Sequence, residues 1–338
     1  MQHTTLPPLP PGFTARHATF DDAEMAAELG RAYALETTGL SDMDAGQILA
    51  FWQAPGFDPA RDVYFVFDPH GIPAGYTEVH AMSNPPVHPF IWGMVPAAFQ
   101  GRGIGTHMLT WAENRVLQTL DRVPDGLRVA PTASCASTVT SARALFESNG
   151  WKHIRSNYTM RIDLEDAPPP APDIPPGIVI RTYQPGDAAA IYRASSEAFQ
   201  DHFGHVAEPF EAGLARFQKT RLEDPMFDGS LWFLAMDGDE IAATCLCRKE
   251  SWNDPQAGQV GTLGVRRPWR KRGLGLALLR QAFGAFHRRG IRKVDLGVDA
   301  LNITGALRLY EKAGMRIIQQ YDQYEKELRP GRELRTEG

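Results

Sequence analysis

The sequence predicts an α/β protein with a mixed sheet (an α+β arrangement with helices on both faces), built twice in tandem. Three observations predict it. Strand-like apolar runs and helix-like runs of period 3.6 follow one another in the same order in residues 13–166 and 178–329. Landmarks recur at nearly constant separation: Arg181 lies 165 residues after Arg16, Gly273 170 after Gly103, and Gly314 164 after Gly150. Between the repeats, residues 167–177 hold six prolines, an extended linker that splits the chain nearly in half. Small insertions in a duplicated unit account for the drift of the offsets.

In the first repeat, residues 13–19 read as a strand. An acidic first turn at Asp21, Asp22 and Glu24, suited to a helix dipole, opens a helix to about Leu35. A second helix covers about 42–52. Residues 63–67 and 73–81 read as strands joined at His70-Gly71, and 90–95 as a third. A helix follows over 103–120, then a strand near 127–130. A helix over 139–148 is closed by Gly150 in the manner of a C-terminal glycine cap, and a last strand runs over 151–162.

The second repeat restates this order. A strand over 178–182 leads to helices over 187–200 and 209–222. Strands follow over 231–236, 240–247 and 259–265, with Asp237-Gly238-Asp239 as the turn between the first two. A helix over 273–289, a strand over 293–298, a helix over 304–312 capped by Gly314, and a strand over 315–327 complete it. Residues 1–12 read as a flexible Pro-rich arm and 330–338 as a tail.

Composition narrows the function. The chain has 338 residues, is 43% hydrophobic and 22% charged, and carries a net charge of −5. That is the balance of a soluble globular protein, and it argues against a general nucleic-acid binder. No stretch approaches the roughly 18 to 20 apolar residues of a membrane span, and the N-terminus lacks the basic region and apolar core of a secretory signal. Cytoplasmic residence is the expectation. Three cysteines, Cys135, Cys245 and Cys247, suit a reducing compartment. The last two alternate with Leu246 and so share one face of a strand. They have no partners at metal-ligand spacing, so no metal is expected.

The chemistry concentrates in residues 261–284. A strand ending Leu263-Gly264-Val265 is followed by Pro268-Trp269, then Arg270-Lys271-Arg272-Gly273-Leu274-Gly275-Leu276, then a helix. A glycine turn entering a helix N-terminus is an anion site, because free N–H groups and the dipole converge there and glycine permits close approach. The dinucleotide fingerprint fails at Leu278, and the P-loop ending Gly-Lys-Ser/Thr is missing. Arg-x-x-Gly-x-Gly after such a strand resembles the acyl-CoA signature of the GNAT superfamily of N-acetyltransferases. The first repeat carries Gln100-Gly101-Arg102-Gly103-Ile104-Gly105 after Val95. The element order of each repeat is also similar to the GNAT fold, so the resemblance covers both halves.

The resemblance implies a tandem GNAT N-acetyltransferase that uses acetyl-CoA and a small-molecule primary amine, as a monomer or weak homodimer. Leu263, Val265, Arg270 to Leu276 and, in the first half, Val95, Gln100 to Gly103 and Gly105 are then expected to contact the cofactor. Asn302-Ile303-Thr304-Gly305-Ala306-Leu307-Arg308-Leu309-Tyr310-Glu311-Lys312-Ala313-Gly314 is similar to the family pattern in which the tyrosine protonates the departing thiolate and the asparagine lies near the pantetheine. Tyr310 is thus the candidate acid and Asn302 a cofactor contact. Taken as a pattern of residues, Tyr310 also fits a core position three after Leu307. Phe146 occupies the matching place in the first half and has no proton to donate, so the first half is expected to be catalytically impaired.

Glu250, after the strand over 240–247, is the candidate base, with Glu78 at a similar place in the first half; a solvated loop charge beside Lys249 is the other reading. A backbone N–H near Val265 is the expected oxyanion donor. Asp201, His202 and Phe203, between the first two helices of the second repeat, are candidate acceptor contacts. The competing functional class is a non-catalytic acyl-CoA sensor. A nucleic-acid role for the basic cluster Arg266 to Arg272 lacks the aromatic interleaving of stacking modules.

Overall fold

The structure, a computed structural model, describes residues 4–39, 43–200, 208–224, 226–251, 254–301 and 305–334. In chain order the elements are β1 (Thr14–His17), α1 (Ala23–Thr38), α2 (Ala45–Trp52), α3 (Pro59–Asp62), β2 (Val63–Phe67), β3 (Pro73–His80), β4 (Phe90–Met94), α4 (Ile104–Leu117), β5 (Thr132–Ala136), α5 (Thr140–Ser148) and β6 (Lys152–Asp163). The second series is β7 (Ile178–Thr182), α6 (Ala188–Phe199), α7 (Phe210–Phe217), β8 (Trp232–Asp237), β9 (Glu240–Arg248), β10 (Ala257–Val265), α8 (Leu274–Arg288), β11 (Lys293–Asp299), α9 (Ala306–Lys312) and β12 (Arg316–Glu325).

The compact units are not the two contiguous halves. Unit 1 takes the chain to Ser156 together with Gln320–Leu334, and unit 2 takes Asn157–Gln319. Unit 1 has strand order β1-β2-β3-β4-β5-β12, with Tyr321–Glu325 of β12 antiparallel to β5. Unit 2 has order β7-β8-β9-β10-β11-β6, with Asn157–Asp163 of β6 antiparallel to β11. Each repeat's last strand therefore closes the sheet of the other unit. The boundary lies inside β6 and inside β12, not at the Pro-rich linker, which carries no helix or strand. A sharp ion pair fixes the exchanged strand in unit 2: Arg161 of β6 reaches the fully buried Asp295 of β11 through two hydrogen bonds of 2.6 and 2.7 Å.

In both units the sheet is antiparallel except for one parallel pair, β4–β5 in unit 1 and β10–β11 in unit 2. Central strands are covered on both faces, so Ile241–Cys247 of β9 is buried at every residue and its apolar run is almost unbroken. On one face of unit 2, Leu278, Phe283 and Phe286 of α8 pack on Val260, Val294 and Leu296. On the other, Ile191 and Ala194 of α6 pack on Trp232, Leu234 and Leu246. Cys245 and Cys247 do share a face, both buried against α8, with sulfurs 3.7 Å apart.

The duplicated arginines play the same structural part. Arg16 grips Asp22 at the start of α1 with two hydrogen bonds of 2.7 Å, and Arg181 grips Asp187 at the start of α6 at 2.6 and 3.0 Å. These pairs lock the first strand of each repeat to the helix that follows. The arginine in each pair holds its aspartate below the usual carboxylate range.

Three expectations are corrected. Residues 127–130 do not form the strand beside β4; β5 begins at Thr132, past Pro131. Leu127 and Val129 instead bridge to Arg332 and Arg329, since Pro131 has no N–H to continue a ladder. The end of the chain through Leu334 is correspondingly part of unit 1, held by Arg128 on Glu325, Glu327 and Glu333. The N-terminal arm is docked rather than loose. Thr4 and Asn114 exchange two hydrogen bonds of 2.9 and 2.7 Å, His107 bonds the Pro7 carbonyl at 2.6 Å, and Leu6 and Leu9 pack on apolar clusters. An extended Pro-rich segment has no internal hydrogen bonds, so α4 supplies them.

Candidate active site

The basic glycine turn joins β10 to α8. Gly273 is the N-cap of α8 at φ 85°, with no side chain capping the helix, so the first-turn N–H groups remain for a ligand. A Cβ on Gly273 would meet no protein atom within 4 Å, so the space in front of it is open. The second glycine of the motif serves packing instead, because a Cβ on Gly275 would come 2.8 Å from Leu309 of α9. Gly275 thus lets α8 and α9 approach. Unit 1 repeats both features, with Gly103 at φ 83° and a Gly105 Cβ 3.0 Å from Leu145 of α5.

The cations of the turn divide into braces and exposed charges. Arg270 folds back, donating to the Val265 carbonyl at 3.2 Å and the Ala198 carbonyl at 3.1 Å. Gln100 makes the same bond to Val95 at 3.0 Å, which explains why either residue can open the motif. Arg266 is paired with Glu197 and Glu240 and lies over the Trp269 ring at 4.7 Å. Lys271 and Arg272 are exposed beside Gly273, with Arg272 in a loose pair with Asp237 at 3.8 Å. Lys271 has φ 63°, the one non-glycine residue with positive φ among the described residues, where unit 1 has Gly101. A strained residue kept in place of glycine is the kind found at binding loops.

Behind the turn the sheet opens. β10 pairs with β11 only from Ala257 to Val260. Beyond that β10 stays with β9 as far as Val265 opposite Ala243, while β11 stays with β6 as far as Asp299 opposite Asn157. The strands part at a bulge between Val260 and Thr262, leaving Gly261 exposed. Apart from the Val265 carbonyl, which Arg270 already occupies, the β11-facing backbone groups of Gly261 to Val265 have no ladder partners there, so a linear ligand arm can take their hydrogen bonds. Leu263 and Val265 lie on this part of β10.

Tyr310 stands on its α8 side. It is buried in the cluster that holds Cys245, whose register partner is Leu263. Burial, followed by the proximity of Cys245, pushes its phenol up to about 12. The hydroxyl makes no hydrogen bond to any described residue. The phenol is therefore fully protonated near neutral pH, with its donor unused.

Glu250 is not brought to this notch. It follows β9, whose last residue Arg248 pairs with Gln259, and Ser251 bonds to the Ala257 carbonyl at 2.7 Å. At about 3.3 Å per strand residue, that end lies on the order of 15 Å from Thr262. A carboxylate set back that far reaches an amine at Thr262 only through intervening water. Asn302 and the trio Asp201, His202 and Phe203 lie outside the described residues.

One residue that sequence reasoning missed does reach the notch. Arg221, in the π-helical turn Gln218–Leu222 after α7, places its Nη1 3.7 Å from the Cβ position of Gly261. Its only sequence signal was an arginine at a helix end. In unit 1 the comparable face carries Glu78, buried, which accepts from the Tyr76 hydroxyl at 2.5 Å and the Trp52 indole at 3.3 Å and contacts His80 at 2.6 Å. Unit 1 has its own notch, since β4 and β5 pair only at Phe90–Thr132 and Ile91–Ala133. Phe146 fills the place of Tyr310, stacked on Tyr324 at 5.0 Å.

Among the described residues no helix is long and apolar enough to cross a membrane, and no three His, Cys, Asp or Glu side chains group as a metal site. Residues 189–315 match the acetyltransferase (GNAT) family. The chain is 30% identical over 236 residues to a mycothiol acetyltransferase of Thermobispora bispora, covering 69% of this chain and 73% of the relative. It is similar to the crystal structure of a GCN5-related N-acetyltransferase from Sphaerobacter thermophilus, with 36% identity, a TM-score of 0.81, and 97% and 99% of the two chains covered. A tandem GNAT protein from the clavulanic acid biosynthesis pathway shares the fold at 15% identity, with a TM-score of 0.70 over 95% of this chain and all 100% of that one. The repeated notch, the repeated glycine turn and these likenesses together place the chain in the GNAT family of acetyltransferases, as an acyl-CoA-dependent N-acyltransferase with two tandem folds.

Proposed function

We propose that unit 2 transfers an acetyl group from acetyl-CoA to the primary amine of a small molecule, and that unit 1 binds acyl-CoA without transferring from it. The observation that carries this reading is the parting of β10 from β11 after Val260 with the unpartnered phenol of Tyr310 on one wall. The cradle fits the cofactor: the uncapped N-terminus of α8, the open space before Gly273, and the exposed Lys271 and Arg272 suit a pyrophosphate. The thioester supplies the acyl group.

The protein's part is positioning, charge stabilisation and one proton. The free backbone groups of Gly261 to Val265 align the pantetheine arm, and an N–H near Val265 is the oxyanion donor. Tyr310 donates to the sulfur as it leaves. A phenol at about 12 is a weak acid for a thiolate whose conjugate acid is ordinarily near 8.5. The same burial that raises the phenol also raises a thiol there, as it does for Cys247, and so narrows the gap.

The test is release of free thiol from acetyl-CoA by the full-length protein across a broad amine panel. Turnover that ends with Tyr310→Phe while CoA binding persists supports the reading. Tight CoA binding with no thiol release from any amine replaces it with a sensor.

A further inference from the structure

The mouth of the notch on the face covered by α6 and α7 is cationic. Arg221 is half-buried, it lies against Gly261 where the strands part, and its guanidinium makes no hydrogen bond or ion pair among the described residues. It leaves α7 through a π-helical turn, a distortion that recurs at functional sites and here aims the side chain inward. Arg248, the last residue of β9, is on the same sheet face and close enough to oppose the charge of Arg221. Asp224 lies 3.3 Å from Arg248, while Arg221 has no ion pair of its own among the described residues. On the same face Arg161 and Lys293 meet Asp295 and Asp254.

Burial and then the neighbouring Arg248 hold Arg221 below the ordinary guanidinium range, so the isolated fold maintains an unfavourable charge there. A bound anion relieves that cost. A guanidinium presents a planar fork that matches a carboxylate in two parallel bonds.

We infer that Arg221, supported by Arg248, binds a carboxylate of the acceptor, so that the acceptor is an amino acid or a similar amino-carboxylate rather than a neutral amine. This rests on the acetyl-transfer reading of the same notch. Along β10, Gly261 lies only one to two residues, about 3 to 7 Å of backbone, from Thr262 and Leu263. Arg221 meets that stretch from the α6–α7 side and Tyr310 from the α8 side, so an acceptor held by Arg221 enters the notch opposite the thioester. Arg221 acts by binding and orienting the acceptor; it takes no part in proton transfer. In the reaction the neutral amine nitrogen forms a bond to the acetyl carbon and gives up one proton to solvent, the carbon–sulfur bond breaks, the sulfur receives one proton, and the carboxylate is unchanged.

The experiment uses the full-length protein with acetyl-CoA and matched acceptors: the common L-amino acids, their carboxamides, short ω-amino carboxylates, simple alkylamines, and glucosamine with its 6-phosphate. The expected result is a kcat/KM at least tenfold higher for a carboxylate than for its amide. In Arg221→Gln the loss for the carboxylate is about 10- to 100-fold and falls mainly on KM. That variant narrows the preference over the amide and keeps its CoA affinity and melting temperature, and Arg221→Lys recovers part of the loss. Amides, alkylamines or glucosamine used as well as the acids overturn the inference and leave the transferase reading standing, as does a preference for the phosphate. No thiol release with any acceptor, while CoA still binds, overturns both.

Discussion

Replacing Tyr310 by Phe separates the chemical role of this residue from its structural one. The ring is buried on the core side of the notch, and its hydroxyl has no partner among the described residues. The hydroxyl is not among the buried polar atoms that lack a partner, so it keeps contact with solvent and its removal changes stability by no more than about 0.5 kcal/mol. Unit 1 already shows a phenylalanine filling this place in Phe146. The melting temperature of Tyr310→Phe is expected to stay within about 2–4 °C of the parent's. The CoA dissociation constant is expected to stay within about twofold, because the phosphate cradle is untouched. Turnover is another matter. Loss of a positioned acid typically removes a factor of about 10² to 10⁴, or about 3–5 kcal/mol of transition-state stabilisation, and the loss belongs in kcat. Since burial pushes the phenol up to about 12, no falling limb from Tyr310 enters the parent's pH–rate profile below about pH 11. The assay is thiol release under saturating acceptor, paired with calorimetric CoA binding and a thermal melt. A kcat within about threefold of the parent refutes the acid role. A melting temperature lower by more than about 5 °C refutes the claim that the hydroxyl does nothing for the fold.

Further outcomes follow from the same geometry. Gly273→Val meets no protein atom but must adopt φ 85°, at about 1–2 kcal/mol, and obstructs the cradle, so turnover and CoA affinity at unit 2 both fall. The matching Gly103→Val is expected to reduce CoA stoichiometry in calorimetry while leaving turnover intact. Asp295→Ala removes two hydrogen bonds from the buried Arg161 and leaves it Asp254, and is expected to lower stability by about 2–4 kcal/mol in urea titration. The Arg181 bond lowers the Asp187 carboxyl from its usual 3.8, so its contribution to stability is complete above that value and is lost as pH falls through the lower folded one. Asp187→Asn is expected to weaken the fold at neutral pH and to flatten the acid side of the stability curve, read by melts from pH 2 to 7.

How much was legible in the sequence depended on the range over which each feature is determined. Period and punctuation are local, so nearly all helices and strands, both glycine turns and the duplication could be read from the chain. The predicted strand at 127–130 failed because its partner is remote: Leu127 and Val129 bridge to residues near the end of the chain, and β5 itself starts beyond Pro131. The distance of Glu250 from the notch was hidden for a related reason. Its place after β9 was right, but strand register decides which end of a strand faces the notch, and register is a property of pairs.

By itself the sequence determined the fold class, the tandem repeat, the glycine turn at a helix N-terminus in each half and the contrast between Tyr310 and Phe146. Each is carried by residue type at fixed spacing, which survives without knowledge of contacts. Only the tertiary structure decided that each repeat's last strand completes the other unit's sheet, that Arg270 and Gln100 brace a carbonyl, and that Arg221 reaches Gly261. Those depend on where separate elements converge. A guanidinium at a helix end has no meaning until the fold sets what lies in front of it.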